Sequence, residues 1–180
     1  MRRALFIGCL ALFTGAAGSA RADEPQAFVA TSADYAVSLE QTLVKKGCKV
    51  EAKRGKAVLW TSDRCLEGDL HFLANDGERL ISLYAFPQKA GGMRGAKGVE
   101  LYRQAERKKS FSVGTFIRDE RPLINASRHF YWLEGALRQP GVPPGVTVDG
   151  KGVELTTLDG RRYLVGFDGN VKALSGKSNP

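Results

Sequence analysis

Histidine, methionine and tryptophan each occur only twice in 180 residues, and cysteine three times. That scarcity thins out the residue types on which most metal and nucleophile chemistry rests. The sequence contains no G-x-S-x-G elbow, no H-E-x-x-H pair, no EF-hand loop and no G-x-x-x-x-G-K-[ST] phosphate loop. It therefore offers no motif of an α/β-hydrolase, a zinc protease, a calcium switch or a P-loop enzyme, and no cofactor is expected. What remains, 43% hydrophobic and 26% charged with 21 Gly and 7 Pro, is the composition of an ordinary globular domain rather than of collagen, a coiled coil or a disordered chain.

The N-terminal segment has the order of a secretory leader. Arg2 and Arg3 are followed by an apolar run from Ala4 to Ala17 and by Ala20-Arg21-Ala22 before Asp23. The run is shorter than the roughly 20 residues that a membrane span needs, and no later stretch approaches that length, so no transmembrane segment is expected once the leader is gone. The expected organisation is a cleaved leader over 1–22, a flexible tail over 23–31, one domain over 32–175 and a disordered tail over 176–180. The expected location is periplasmic or secreted. Losing Arg2, Arg3 and Arg21 lowers the net charge from +8 to +5, which leaves a mild attraction to anionic partners.

Cys9 leaves with the leader, so Cys48 and Cys65 remain, an even number in a compartment that favours oxidation. A Cys48–Cys65 disulfide is expected. Their spacing is not that of a C-x-x-C redox or zinc pair, and two histidines would have to supply every further metal ligand.

Along the chain, Thr31-Ser32-Ala33-Asp34 reads as a capping box, followed by a helix to about Lys46 with Ala36, Leu39 and Leu43 on one stripe. Cys48, Val50 and Ala52 then alternate with Lys49, Glu51 and Lys53 as a half-wet strand, paired through Arg54-Gly55 with Ala57–Thr61. Asn75-Asp76-Gly77 joins a second hairpin, 69–74 with 79–86, whose Leu80, Ile81, Leu83, Tyr84 and Phe86 predict a strand covered on both sides. A Gly- and cation-rich loop over 88–98 leads into a helix expected from Val99 to Lys109, then a strand over 111–117. Ala126, Phe130, Leu133 and Leu137 mark another helix. Asp149-Gly150, Asp159-Gly160 and Asp168-Gly169, about ten residues apart, predict a closing meander of three or four strands. The fold class expected is α+β: antiparallel hairpins and a meander packed with two or three helices and tied by one disulfide.

Three functional readings follow. The first is an exported, non-catalytic protein that binds or inhibits a macromolecular partner, a protein or an anionic envelope component, through the basic region carrying Arg94, Lys97, Arg103 and Arg107. Nucleic acid is not favoured: Glu100 and Glu106 dilute the patch, and aromatics are not interleaved as single-strand binding needs. The second is a small nuclease-like hydrolase using His71 and His129 as base and acid. The third is a structural protein of the cell envelope.

Overall fold

In the computed structural model, which describes residues 25–89, 92–135, 144–147 and 149–176, the regular structure is almost wholly antiparallel strands. The α+β expectation is corrected to a nearly all-β fold. Among the described residues the sole helical element is a 3-10 turn at Val113–Thr115. The expected leader lies outside the described residues.

The first sheet is a meander of β1 (Phe28–Thr31), β2 (Val37–Val44), β3 (Gly47–Arg54) and β4 (Ala57–Ser62). β3 buries Cys48, Val50 and Ala52 and turns Lys49, Glu51 and Lys53 outward, as its alternation predicts. β2 stands where a helix was expected, with Val37, Leu39 and Gln41 buried at period two. Gln41 hides that alternation because a polar residue holds an inward position. Residues 28–31, expected within a flexible tail, pair along their whole length with β2. Ser32 and Asp34 close the turn between β1 and β2 instead of capping a helix. The Ser32 hydroxyl donates to Asp34 Oδ1 at 2.6 Å and accepts from the Val37 amide at 3.0 Å. Thr147–Asp149 and Thr157–Asp159 repeat the device at 2.6 and 2.5 Å. A hydroxyl two residues before an aspartate satisfies amides at a chain reversal whether a helix or a strand follows.

The second sheet runs β5 (Leu70–Leu73), β6 (Arg79–Leu83), β7 (Lys97–Arg103) and β8 (Glu106–Ser112). The hairpin expected about Asn75-Asp76-Gly77 is β5–β6. The helix expected over Val99–Lys109 is the β7–β8 hairpin, turned by Gln104 and Ala105 at φ +50° and +63°. Two successive left-handed residues suit the right-handed strand twist, but Asn-Gly or Asp-Gly normally announces them. Here Glu78 holds the turn, its carbonyl accepting from the Gln104 amide at 2.8 Å and its carboxylate from the Gln104 side chain at 3.3 Å.

Two short strands, β9 (Ile124–Ala126) and β10 (His129–Tyr131), pair where the third helix was expected. The strand expected over 111–117 gives way after Ser112 to the 3-10 turn. The closing meander is present as β11 (Gly145–Val146), β12 (Gly152–Thr156), β13 (Arg161–Gly166) and β14 (Val171–Gly176).

The middle sheet is shared by two cores. Ile81, Leu83, Val99 and Leu101 face one formed with Phe116, Phe130, Trp132 and the closing meander, while Leu73, Leu80 and Tyr102 face another formed with the first sheet. That is why β6 is buried on both faces. Cys48 and Cys65 form the expected disulfide, with Cα atoms 5.1 Å apart and a sequence separation of 17. It ties β3 to the segment that leads from β4 into β5.

Cutting that tie in a Cys48→Ala/Cys65→Ala variant is expected to lower unfolding free energy by about 3 kcal/mol, from the loop entropy returned to the unfolded chain. Urea unfolding followed by tryptophan fluorescence checks it; an unchanged stability would mean the bridge constrains nothing.

Candidate functional site

The face of the middle sheet turned toward the first sheet is apolar at one end and polar at the other. His71, Ser82, Glu100 and Ser110 are successive cross-strand partners through β5, β6, β7 and β8. Alternation therefore places them on one face. Ser82 is fully buried and lies 2.9 Å from His71 Nδ1. Gly68, at φ +117°, passes so close that an added Cβ would sit 3.0 Å from the Ser82 Cβ. A side chain at position 68 would thus be both strained and crowded.

Glu100 is the centre of this face. Its carboxylate is fully buried, and Oε2 accepts from the Tyr102 hydroxyl at 2.5 Å and the Tyr84 hydroxyl at 2.8 Å, while Oε1 accepts from Arg107 at 3.1 Å. The Tyr84 oxygen is also 3.0 Å from Glu67 Oε2. A phenol has one proton, so Glu67 and Glu100 share that single donor. Lys97 makes up the difference: its ammonium donates to Glu67 Oε2 at 2.7 Å and lies 5.3 Å from the centre of the Tyr84 ring. Burial raises the pKa of both phenols, and the neighbouring carboxylates raise it further. They therefore remain protonated donors. Burial would raise Glu67 too, but the Lys97 and Tyr84 hydrogen bonds outweigh it and hold that carboxyl below its usual value.

The four cations singled out in the sequence lie on or beside the β7–β8 hairpin rather than along a helix. Lys97 opens β7, Arg103 ends it and Arg107 lies in β8. Arg103 donates through Nε and Nη2 to Glu78 Oε2 at 3.1 and 2.8 Å. Arg94, in the loop before β7, donates to the Arg118 carbonyl at 3.3 Å. Three carboxylates thus anchor three cations, and the side chains of Lys97, Arg103 and Arg107 stay 44%, 62% and 57% exposed. In the sequence Glu100 stands out only as a dilution of the patch and Tyr84 only as part of a strand covered on both sides, while Glu67 carries no signal. A strand over 99–102 separates Val99 and Leu101 from Glu100 and Tyr102, setting the acid and the phenol on one face, but only the covering sheet makes that face an inward one.

The two histidines take different surroundings. His71 stacks on Phe28 with ring centroids 3.6 Å apart, and His129, in β10, stacks on Phe86 at 4.8 Å. No hydrogen bond joins the two imidazoles. The His129 Nε2 atom is buried with no hydrogen-bond partner among the described residues. Desolvation brings His71 from 6.5 down to about 4, against the pull of the Gly68 backbone toward the charged ring. No group of three or more histidine, cysteine, aspartate or glutamate side chains placed to hold a metal occurs among the described residues. No protein-family model matches the chain, and no curated protein matches it.

Two outcomes test this geometry. Because His71 is neutral in the fold and protonates more readily when unfolded, its contribution is complete above pH 6.5 and is lost as pH falls toward about 4. The loss amounts to roughly 3 kcal/mol. Urea unfolding across that window should show the decline, and His71→Phe should flatten it; an identical decline in the variant would assign it elsewhere. Glu100→Leu strands the buried Tyr102 hydroxyl, while Tyr84 keeps Glu67 and the half-exposed Arg107 turns to water, at an expected cost of about 2 kcal/mol. A loss below about 1 kcal/mol by the same measurement would show that the cluster repacks freely.

Proposed function

We propose that the protein is exported and acts as a non-catalytic binding protein, docking a protein or an anionic envelope component through the β7–β8 hairpin. The observation that carries this reading is the pre-positioning of its cations. Lys97, Arg103 and Arg107 are each oriented by a different carboxylate, Glu67, Glu78 and Glu100, yet each remains about half exposed. Long cationic side chains lose rotamer entropy on binding, and holding them in place beforehand reduces that cost. Lys108 adds a cation on β8 held by Glu106, whereas the Lys109 ammonium turns to the Gly169 carbonyl at 3.0 Å. The disulfide supports export, because such bridges persist in oxidising compartments.

Arg103 gives the cleanest test, since its partner Glu78 lies near the surface, whereas loss of Arg107 uncovers the buried Glu100. The disulfide-bonded protein, immobilised and exposed to its own envelope fraction at moderate salt, should retain a partner. Arg103→Gln is expected to weaken that capture roughly tenfold, the usual scale for a central arginine. Neutralising Arg94, Lys97, Arg103 and Arg107 together should abolish it. Undiminished capture by the fourfold variant rejects this hairpin as the contact.

A further inference from the structure

We propose that the outer edge of β4 pairs with the same edge of a second copy of this chain, in antiparallel register across a two-fold axis, joining the two first sheets into one. β4 ends its sheet, and no bridge among the described residues joins Ala57–Ser62 to any strand but β3. Such an edge presents unpaired backbone groups, and proteins ordinarily blunt it with charge, brevity or cover.

The other sheet ends follow that rule. β8 carries Arg107, Lys108 and Lys109, β14 carries Lys172, β9 and β10 have 3 residues each and β11 has 2, and β1 and β5 are short, with Ser32 just past β1 bridged to Leu73 of β5. β4 departs from it. Its 6 residues, Ala-Val-Leu-Trp-Thr-Ser, include no charge, and Val58 and Leu59 are 53% and 41% exposed. The ladder with β3 skips Leu59, a bulge in β4 that is the one protective device this strand has, and it adds no charge.

Charge at the two ends of the strand identifies the occupant. Lys56 precedes β4 and Asp63 follows it; both are exposed, and neither has an ion-pair partner among the described residues. Antiparallel alignment of two copies brings the Lys56 end of each against the Asp63 end of the other, twice about the axis. A self-complementary strip of this kind is what an isologous interface requires. In that alignment Val58 lies opposite Thr61 and Leu59 opposite Trp60 of the second copy, so exposed aliphatic carbon on both strands leaves water.

Sedimentation velocity on the purified, disulfide-bonded protein at about 100 µM should show a dimer. Val58→Lys replaces exposed aliphatic carbon on the edge with a charge and should raise the dimer dissociation constant at least tenfold. Lys56→Glu or Asp63→Lys alone sets like charges together at both ends and should raise it roughly tenfold, whereas the two combined should restore it. Amide exchange of residues 57–62 should slow as concentration rises, a readout independent of any variant. A native protein that stays monomeric, or a dimer indifferent to Val58→Lys, overturns the proposal.

Discussion

The segment between the first two sheets is held at three successive residues, and the polar face of the molecule depends on that hold. Cys65 is bonded to Cys48 in β3. Leu66 buries its side chain, while its amide donates to Gln41 Oε1 at 2.7 Å and its carbonyl accepts from Gln41 Nε2 at 3.0 Å. Glu67 then reaches Tyr84 and Lys97, and Gly68 roofs Ser82. Gln41 is itself buried, and an unpaired amide there would carry a desolvation cost of a few kcal/mol. Both of its polar ends are satisfied by the strand-free backbone it clamps, since Nε2 also donates to the Gln26 carbonyl at 2.8 Å. The covalent bridge thus limits where the segment can wander when unfolded, and the glutamine sets where it sits when folded.

Burying Glu100 in the middle of a sheet would be costly if any part of its carboxylate were left dry. Its oxygens are instead occupied by two phenols and a guanidinium, so the charge is both paired and hydrogen-bonded. This arrangement requires a strand with both faces covered, because only the face opposite Val99 and Leu101 is free for polar use. The middle sheet provides it: one face is committed to the larger core, and the other is divided between Leu73, Leu80 and Tyr102 at one end and the Glu100 cluster at the other. The positions of Lys97 and Arg107 follow from this partition, since each hangs from an acid that the packing has already placed.

Local turn chemistry decided how much of the fold could be read from residues alone. Hairpins closed by Asn75-Asp76-Gly77 and the Asp-Gly turns of the last meander were legible, because their glycines supply the left-handed backbone that tight reversals need. So was the strand of Cys48, Val50 and Ala52, where polarity and position agree. The β7–β8 hairpin was not: Gln104 and Ala105 adopt the same left-handed pair without the residues that advertise it, and the stabilising partner, Glu78, is 26 residues away in sequence from Gln104. β2 was obscured by one buried amide. The residues after Ser32 suit a helix as well as a strand because a hydroxyl and an aspartate cap amides equally well at either kind of reversal. Of the candidate site, the cations were visible as charges, but the acids that orient them depend on pairings that cross between strands.

The sheet edges complete this logic from the opposite direction. Lysine and arginine on β8 deter strand addition, since another chain would have to pass cations that are already spoken for by Glu100 and Glu106. The charge that protects β8 from pairing is also what suits it to a side-chain contact, because a hairpin that cannot be extended by backbone bonds presents only its guanidinium and ammonium groups. β4 has the reverse balance: few side-chain handles, open backbone and exposed aliphatic carbon. The two edges thus differ for a single reason, the distribution of charge along the strand that terminates each sheet, and the two proposed contacts would use separate surfaces.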